Sequence, residues 1–142
     1  MGNFNNEIKV LIIHGPNMNL LGLRTKQNKS KITLDKLNNF LKKEAKKRNI
    51  KLKLIQTNDE SKAVTVLQRM RNKIKGIILY PGPWRASGHV LKDTLTLLSI
   101  PYITISFEKE STSILNSKKN LYDGDIFKIT ALAFSKLEKK LL

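Results

Sequence analysis

The chain has 142 residues, enough for one domain with a conventional hydrophobic core and too few to require a second. It contains no cysteine, which excludes a disulfide framework, a thiol nucleophile and a cysteine-ligated metal, and fits a reducing compartment. With 27 Lys and Arg against 11 Asp and Glu, the formal net charge is +16. Self-repulsion of that size disfavours a compact monomer alone, so a polyanionic partner is the natural inference; the competing reading is a lysine-rich composition covering every exposed face alike.

The opening residues, MGNFNNEIK, have neither the apolar run of a signal peptide nor the arginine-rich amphipathic pattern of a transit peptide. Residues 1–8 read as a tail and 9–142 as a single domain. Gly2 does not make a myristoylation site, because Asn6 stands where that motif needs Ser or Thr. No apolar run approaches the ~20 residues of a membrane span. The expectation is a soluble protein of the cytoplasm or an organellar matrix, not a secreted one, and with no membrane partner.

Lys9 to Arg24, KVLIIHGPNMNLLGLR, begins as a continuous apolar run, a buried strand over 9–13, and breaks at Gly15 and Pro16. The turn offers two asparagines and closes on Arg24. In an open α/β sheet ligands bind at the carboxyl ends of the strands, so a strand emptying into a rigid polar turn marks a candidate site. A polar, basic loop follows over Gly22 to Lys31.

The spacing of Leu34, Leu37, Leu41 and Ala45 predicts a helix over Thr33 to Arg48, with Thr33 as N-cap and Lys36, Lys42, Lys43, Lys46 and Lys47 on its outer face. A second strand is predicted over Lys51 to Gln56, and a second helix over Ser61 to Lys73 with Arg69, Arg71 and Lys73 outside. A third strand, Gly76 to Tyr80, stops at Pro81 and Gly82; a third helix covers Ser87 to Leu98, and a fourth strand Tyr102 to Phe107. The stretch up to Asp123 reads as polar loop. Asp125 to Leu142 is helix-compatible, a short fifth strand within Phe127 to Leu132 being the alternative. Strands alternating with helices predict parallel βαβ units in a three-layer α/β sandwich with four to five strands.

Several segments carry a resemblance: GPNMNLLGLR, QTNDE at Gln56 to Glu60, GIILYPGPW at Gly76 to Trp84, KDTL at Lys92 to Leu95 and SIPYI at Ser99 to Ile103. In this order and spacing they resemble type II 3-dehydroquinate dehydratase over about Val10 to Leu132. The resemblance implies a flavodoxin-like fold with a five-stranded parallel sheet, and often a dodecamer of four trimers, so a homo-oligomer is implied if the trimer contacts persist. It also implies an enolate mechanism. A loop tyrosine, acidified by arginine, removes a proton; an asparagine of the GPN turn holds a water that stabilises the enolate; a histidine after the PG turn protonates the leaving hydroxyl. Neither a cofactor nor a metal is expected.

Carried over position by position, Asn17 stands at the enolate-water position and Arg24 at the loop arginine. The tyrosine position holds Lys29 and the histidine position Ala86. The family's asparagine before the PG turn is Tyr80, its Glu and His of the fourth strand are Thr104 and Ser106, and no arginine follows Arg85. Loss of both proton-transfer groups, each contributing roughly 100-fold to 10,000-fold, predicts little turnover. Two rescues exist on paper: His89, one helical turn beyond Ala86, as a displaced acid, and Lys29 as a base of lowered pKa, each set against an ordinary exposed residue. His14, at the end of the first strand, reads as a structural histidine.

The replacements run towards positive charge. Lys26, Lys29 and Lys31 make the loop basic, and Trp84 with Arg85 offers an aromatic beside a cation, which suits stacking on an unpaired base and contact with phosphate unless Trp84 only packs. Together with Lys42, Lys43, Lys46, Lys47, Arg69 and Arg71 they form a candidate RNA-binding set. The sequence reading is therefore an inactive dehydratase fold serving as a basic RNA-binding component of a ribonucleoprotein, such as a cytoplasmic or mitochondrial ribosome, with rRNA and neighbouring proteins as partners. The alternative is an active or residual dehydratase that converts 3-dehydroquinate to 3-dehydroshikimate, and a third reading is a non-catalytic binder of a small anion.

Overall fold

The computed structural model of the chain describes residues 7–26, 31–107, 113–115, 120–122 and 125–141. Five strands form one parallel sheet in the order β2-β1-β3-β4-β5: β1 Ile8–His14, β2 Ile50–Gln56, β3 Gly76–Tyr80, β4 Tyr102–Ser106 and β5 Asn120–Tyr122. The helices are α1 Leu21–Arg24, α2 Leu34–Lys47, α3 Glu60–Met70, α4 Trp84–Ser87, α5 His89–Leu98 and α6 Ile126–Leu141. Helices α2 and α6 cover one face and α3 and α5 the other, which makes a three-layer flavodoxin-like α/β sandwich.

The central strand explains why its sequence shows no polar alternation. Val10 and Ile12 enter the core under α2 and α6, whereas Leu11 and Ile13 enter the core under α3 and α5, so both faces of β1 are dry. The strand order reverses between β1 and β3, which run parallel, so the two polar turns that follow them leave the same edge of the sheet side by side. Thr33 caps α2 as its sequence predicts, its hydroxyl accepting from Lys36 N at 3.2 Å. Asp59 caps α3, and the Ser61 hydroxyl and N–H that donate to its carboxylate hold that group below its usual range.

Three boundaries depart from the sequence reading. The fifth strand lies at Asn120–Tyr122, not within 127–132; there Ile126, Ile129, Thr130, Ala133, Phe134 and Leu137 are buried at three- and four-residue spacing, so helical period decides. The predicted third helix starts two residues later, at His89, and a separate short helix, α4, precedes it across Gly88, whose φ of −82° and ψ of 55° are not helical. A Cβ at Gly88 would stand 2.7 Å from the Trp84 carbonyl oxygen, so the chain can pass that close only without a side chain. Finally, the basic loop opens with a helical turn, α1, and Thr25 ties off the chain beyond it by accepting from Ile32 N at 2.9 Å. Lys29 lies outside the described residues.

Helices α2 and α6 are fastened to each other by charge. Arg48 donates to Glu138 of α6 and, at 3.4 Å, to Glu44 of α2, while its guanidinium lies 5.7 Å from the centre of the Phe134 ring. Lys47 donates to the buried Glu44 at 2.9 Å, and this bond, helped by Arg48, holds the Glu44 carboxyl below its usual range against the opposing effect of burial.

Gly15 fixes the spacing of the two turns. Its N–H donates to the Tyr80 carbonyl at 2.9 Å, and a Cβ there would lie 2.8 Å from the Pro81 oxygen and 2.9 Å from the Tyr80 oxygen. Both obstacles are backbone and cannot rotate aside. Gly15→Ala is therefore expected to destabilise the fold by about 2–3 kcal/mol, read as a lower urea midpoint with an unchanged slope; an unaltered midpoint would show that the turns are free to separate.

Candidate functional site

The turns after β1 and β3, with the end of β4, enclose a cleft of about 100 Å³ at the carboxyl edge of the sheet. Pro16 and Met18 line it from the first turn, Pro83 and Arg85 from the second, Arg24 from α1, Ser106 from the end of β4 and Phe107 from just beyond it. The Arg24 guanidinium lies 5.7 Å from the centre of the Phe107 ring, so a flat cation rests on an aromatic wall. Among the described residues, two guanidinium groups line this cleft and no carboxylate does.

Asn17 stands between the cleft-lining Pro16 and Met18, exposed, with φ of 69° and ψ of 5°. Few side chains tolerate that left-handed conformation, and asparagine is among them. The turn is braced from β2: Asn17 N–H donates to Asn58 Oδ1 at 3.0 Å, and the Gln56 amide donates to the same oxygen at 3.2 Å and to the Gly15 carbonyl at 3.2 Å. Gln56 and Asn58, both within the QTNDE segment, are thus positioning residues whose task the motif alone does not reveal. On the other turn, Gly82 carries a φ of +54°, which glycine adopts without strain.

Beneath the first turn is a polar pair buried in the α2/α6 core. His14 and Tyr80, register partners on β1 and β3, stack with ring centroids 4.9 Å apart. The His14 Nε2–H donates to Asn38 Oδ1 at 2.8 Å, which leaves Nδ1 as a buried nitrogen without a partner among the described residues, and burial lowers the imidazole pKa from 6.5 to about 4. Tyr80 and Thr130 share a hydroxyl bond of 2.7 Å, and full burial pushes the phenol well above its usual value. Tyr80 is therefore a neutral core group, remote from duty as a base. His14 is buried beneath the turn and is not among the residues that line the cleft, and its Nδ1 is not satisfied among the described residues, whereas the sequence reading expects a satisfied histidine.

Of the family-matching positions, the structure brings Arg24 into the cleft and Asn17 to its rim. Ala86 is exposed on α4, one residue beyond Arg85. His89 is exposed at the start of α5, across the break at Gly88, so the one-turn spacing from Ala86 does not hold, and it does not line the cleft. The proposed RNA-binding set is dispersed. Lys42, Lys43, Lys46 and Lys47 are exposed on α2, while Arg69 and Arg71 lie at the end of α3 on the opposite face of the sheet. Lys26 and Lys31 are exposed beyond α1. Trp84 is only 4% exposed and packs into the core under α3 and α5, so it offers no surface for stacking a base.

Comparison with known proteins agrees with this geometry. The model of the family described as Dehydroquinase class II matches residues 8–112. The chain is 34% identical over 97 residues to a 3-dehydroquinate dehydratase of Caldanaerobacter subterraneus subsp. tengcongensis, covering 68% of this chain and 66% of that protein. It is 39% identical over 100 residues to the 3-dehydroquinate dehydratase of Buchnera aphidicola subsp. Acyrthosiphon pisum, covering 70% and 67%. These matches span about two thirds of the relatives' length. In fold the chain is similar to the type II dehydroquinase of Butyrivibrio crossotus, with a TM-score of 0.80 at 23% identity, covering 94% of this chain and 99% of that one. A 3-dehydroquinate dehydratase-like protein from Bifidobacterium longum aligns with a TM-score of 0.72 at 18% identity over 95% and 98%.

These findings overturn the reading of an inactive, RNA-binding ribosomal or mitochondrial protein. The relatives are dehydratases by name, and among the described residues the cations of the proposed RNA-binding set lie on both outer layers while Trp84 is buried. No helix of the described residues is long and apolar enough to cross a membrane.

Proposed function

The chain belongs to the class II dehydroquinase family, and from that premise we propose that it is a 3-dehydroquinate dehydratase of residual activity. The observation that carries the reading is the braced left-handed turn that sets Asn17 at the rim of a cleft walled by Arg24. In dehydration a proton leaves the carbon beside the ketone, the electron pair spreads into an enolate, and the C–O bond then breaks to expel water and leave a conjugated enone. Asn17 holds the water that stabilises the enolate oxygen, and Arg24 supplies positive charge to the anionic substrate. This is the electrostatic half of the catalysis.

The proton-transfer half is reduced. The family's tyrosine position holds Lys29 and its histidine position Ala86, so a solvent base takes the carbon-bound proton, the leaving hydroxyl takes one from solvent, and turnover is slow. What remains is stabilisation of charge in a fixed geometry, which outlasts the loss of acid–base groups in other enzymes by a factor of roughly 1,000 or more over water.

The test is turnover of 3-dehydroquinate by the folded protein, followed as absorbance of the conjugated product. A rate above buffer is expected. Asn17→Gly is expected to bring it down to the buffer rate, since one oxyanion contact contributes roughly 100-fold to 1,000-fold. Glycine retains the left-handed turn, so an effect on folding is separated from an effect on chemistry. No turnover, together with a rise in Tm on adding 3-dehydroquinate, would replace this reading with that of a non-catalytic binder.

A further inference from the structure

Strand β2 ends the sheet on one side. Among the described residues it pairs with β1 alone, along its whole length from Ile50 to Gln56, so its outer edge carries backbone groups that no strand of the chain takes up. Alternation identifies them. Thr57 N–H donates to the His14 carbonyl at 3.0 Å, so the odd-numbered residues of β2 turn their N–H and C=O towards β1, and Leu52 and Leu54 turn theirs away from the sheet.

The side chains along this edge are sorted by type. Leu52 and Leu54 are half-buried against the core under α2 and α6, and they line a groove of about 350 Å³ between β2 and α2. Lys42 and Lys46, both exposed, border the groove from α2. Lys51 and Lys53 alternate with the two leucines along the strand and are exposed. A carboxylate already reaches this edge, since Lys51 is paired with Glu7 at 3.0 Å; among the described residues Lys42, Lys46 and Lys53 are in no ion pair.

Backbone, pleat and charge together select the partner. A strand added here bonds the outward amides and carbonyls of Leu52 and Leu54, sets every second side chain beside those leucines, and sets the others beside lysine. A second copy of β2 is a poor candidate. Antiparallel pairing over its full length places Lys53 opposite Lys53, a like-charge pair, between two chains of formal charge +16 each. The lysines that refuse this strand admit an acidic one.

We propose that the β2 edge binds an extended acidic segment of another protein, with apolar residues alternating with Asp or Glu, as an added strand of roughly six residues. The groove shares no residue with the cleft, so this site stands independently of the dehydratase reading.

The experiment is a fluorescence-anisotropy titration of the full chain into a labelled, end-capped octapeptide that alternates glutamate with valine. Binding is expected, and it weakens as salt rises. Two forms of the peptide, N-methylated on the glutamates or on the valines, keep the charge and each delete one set of main-chain donors. The form whose methyl groups face β2 is expected to bind at least tenfold more weakly than the parent. Lys51→Glu with Lys53→Glu is expected to weaken binding at least tenfold and to confer binding of the corresponding lysine–valine peptide. Arg69→Glu with Arg71→Glu, the same change of charge at the end of α3, is expected to weaken it less than threefold. Absence of binding by the native chain overturns the proposal. So does parent affinity in both N-methylated forms, or an equal loss in the arginine and lysine variants. If the lysine variant does not fold, the N-methylated peptides decide the matter on the native chain alone. A native chain that ignores the peptide and sediments as a dimer, split by Leu52→Pro through loss of one outward N–H, would give the edge to a second copy.

Discussion

Replacing Ala86 by histidine is expected to raise the rate of 3-dehydroquinate dehydration by about 100-fold, the lower end of what a positioned general acid contributes. Ala86 is exposed on α4, so a larger side chain meets no core packing there, and Arg85 immediately before it already lines the cleft. The gain should lie in kcat, with KM little changed, because the new group acts on the leaving hydroxyl as the C–O bond breaks and not on the bound ground state. It should also carry a pH signature. An imidazole must be protonated to act as the acid, so the added rate is present below about pH 6.5 and declines above it. Ala86→Phe, similar in bulk and without a proton, is the control. A histidine variant no faster than the phenylalanine variant would mean that this position does not face the reacting hydroxyl.

Acid should weaken the fold through His14. The folded imidazole, 1% exposed, has a pKa of about 4, below the 6.5 of an unfolded chain. Between these values the unfolded chain binds the proton that the folded one refuses, so stability rises with pH across the window. The contribution is complete above about pH 6.5 and is lost as pH falls to about 4, for a total of about 3 kcal/mol at 1.36 kcal/mol per unit. The structure supplies the reason: with Nε2–H given to Asn38, a second proton on Nδ1 meets no acceptor among the described residues. Carboxylates titrate at the lower end of this window as well, so the informative quantity is a difference. Urea midpoints at pH 7 and pH 4.5 should separate far less in His14→Asn than in the native chain. Equal losses in both would place the acid sensitivity elsewhere.

The sheet was legible in the sequence because its central strands are dry on both sides. VLIIH and GIILY leave no other reading, and the N-cap at Thr33 was explicit. Elements decided by contact and not by pattern were missed. Asn120–Tyr122 is too short to show a period, and nothing near Gly88 announces that the Trp84 carbonyl comes too close for a Cβ. The cleft was legible in part: Asn17 and Arg24 were named from their motif, and Arg85 from its charge. Its partners were not, because the brace from Gln56 and Asn58 depends on the pairing of β1 with β2. Trp84 was the plainest misreading, since an aromatic beside cations looks exposed until the turn buries it. Among the described residues, the candidate cations Lys42, Lys43, Lys46 and Lys47 on α2 and Arg69 and Arg71 at the end of α3 lie on opposite faces of the sheet.

The clasp between Arg48 and Glu138 joins residues 90 positions apart. One face of the sheet is closed only when α6, after every strand in the chain, comes to rest beside α2, with Leu137 against Gly76. Closure of this kind depends on contacts distant in sequence, which slows folding and leaves Val10, Ile12 and Phe134 wet in any species where α6 is detached. Backbone amides of α6 and of the α2 segment beneath it should consequently exchange with solvent as one cooperative unit, ahead of β1, and that unit is where aggregation of this chain would begin.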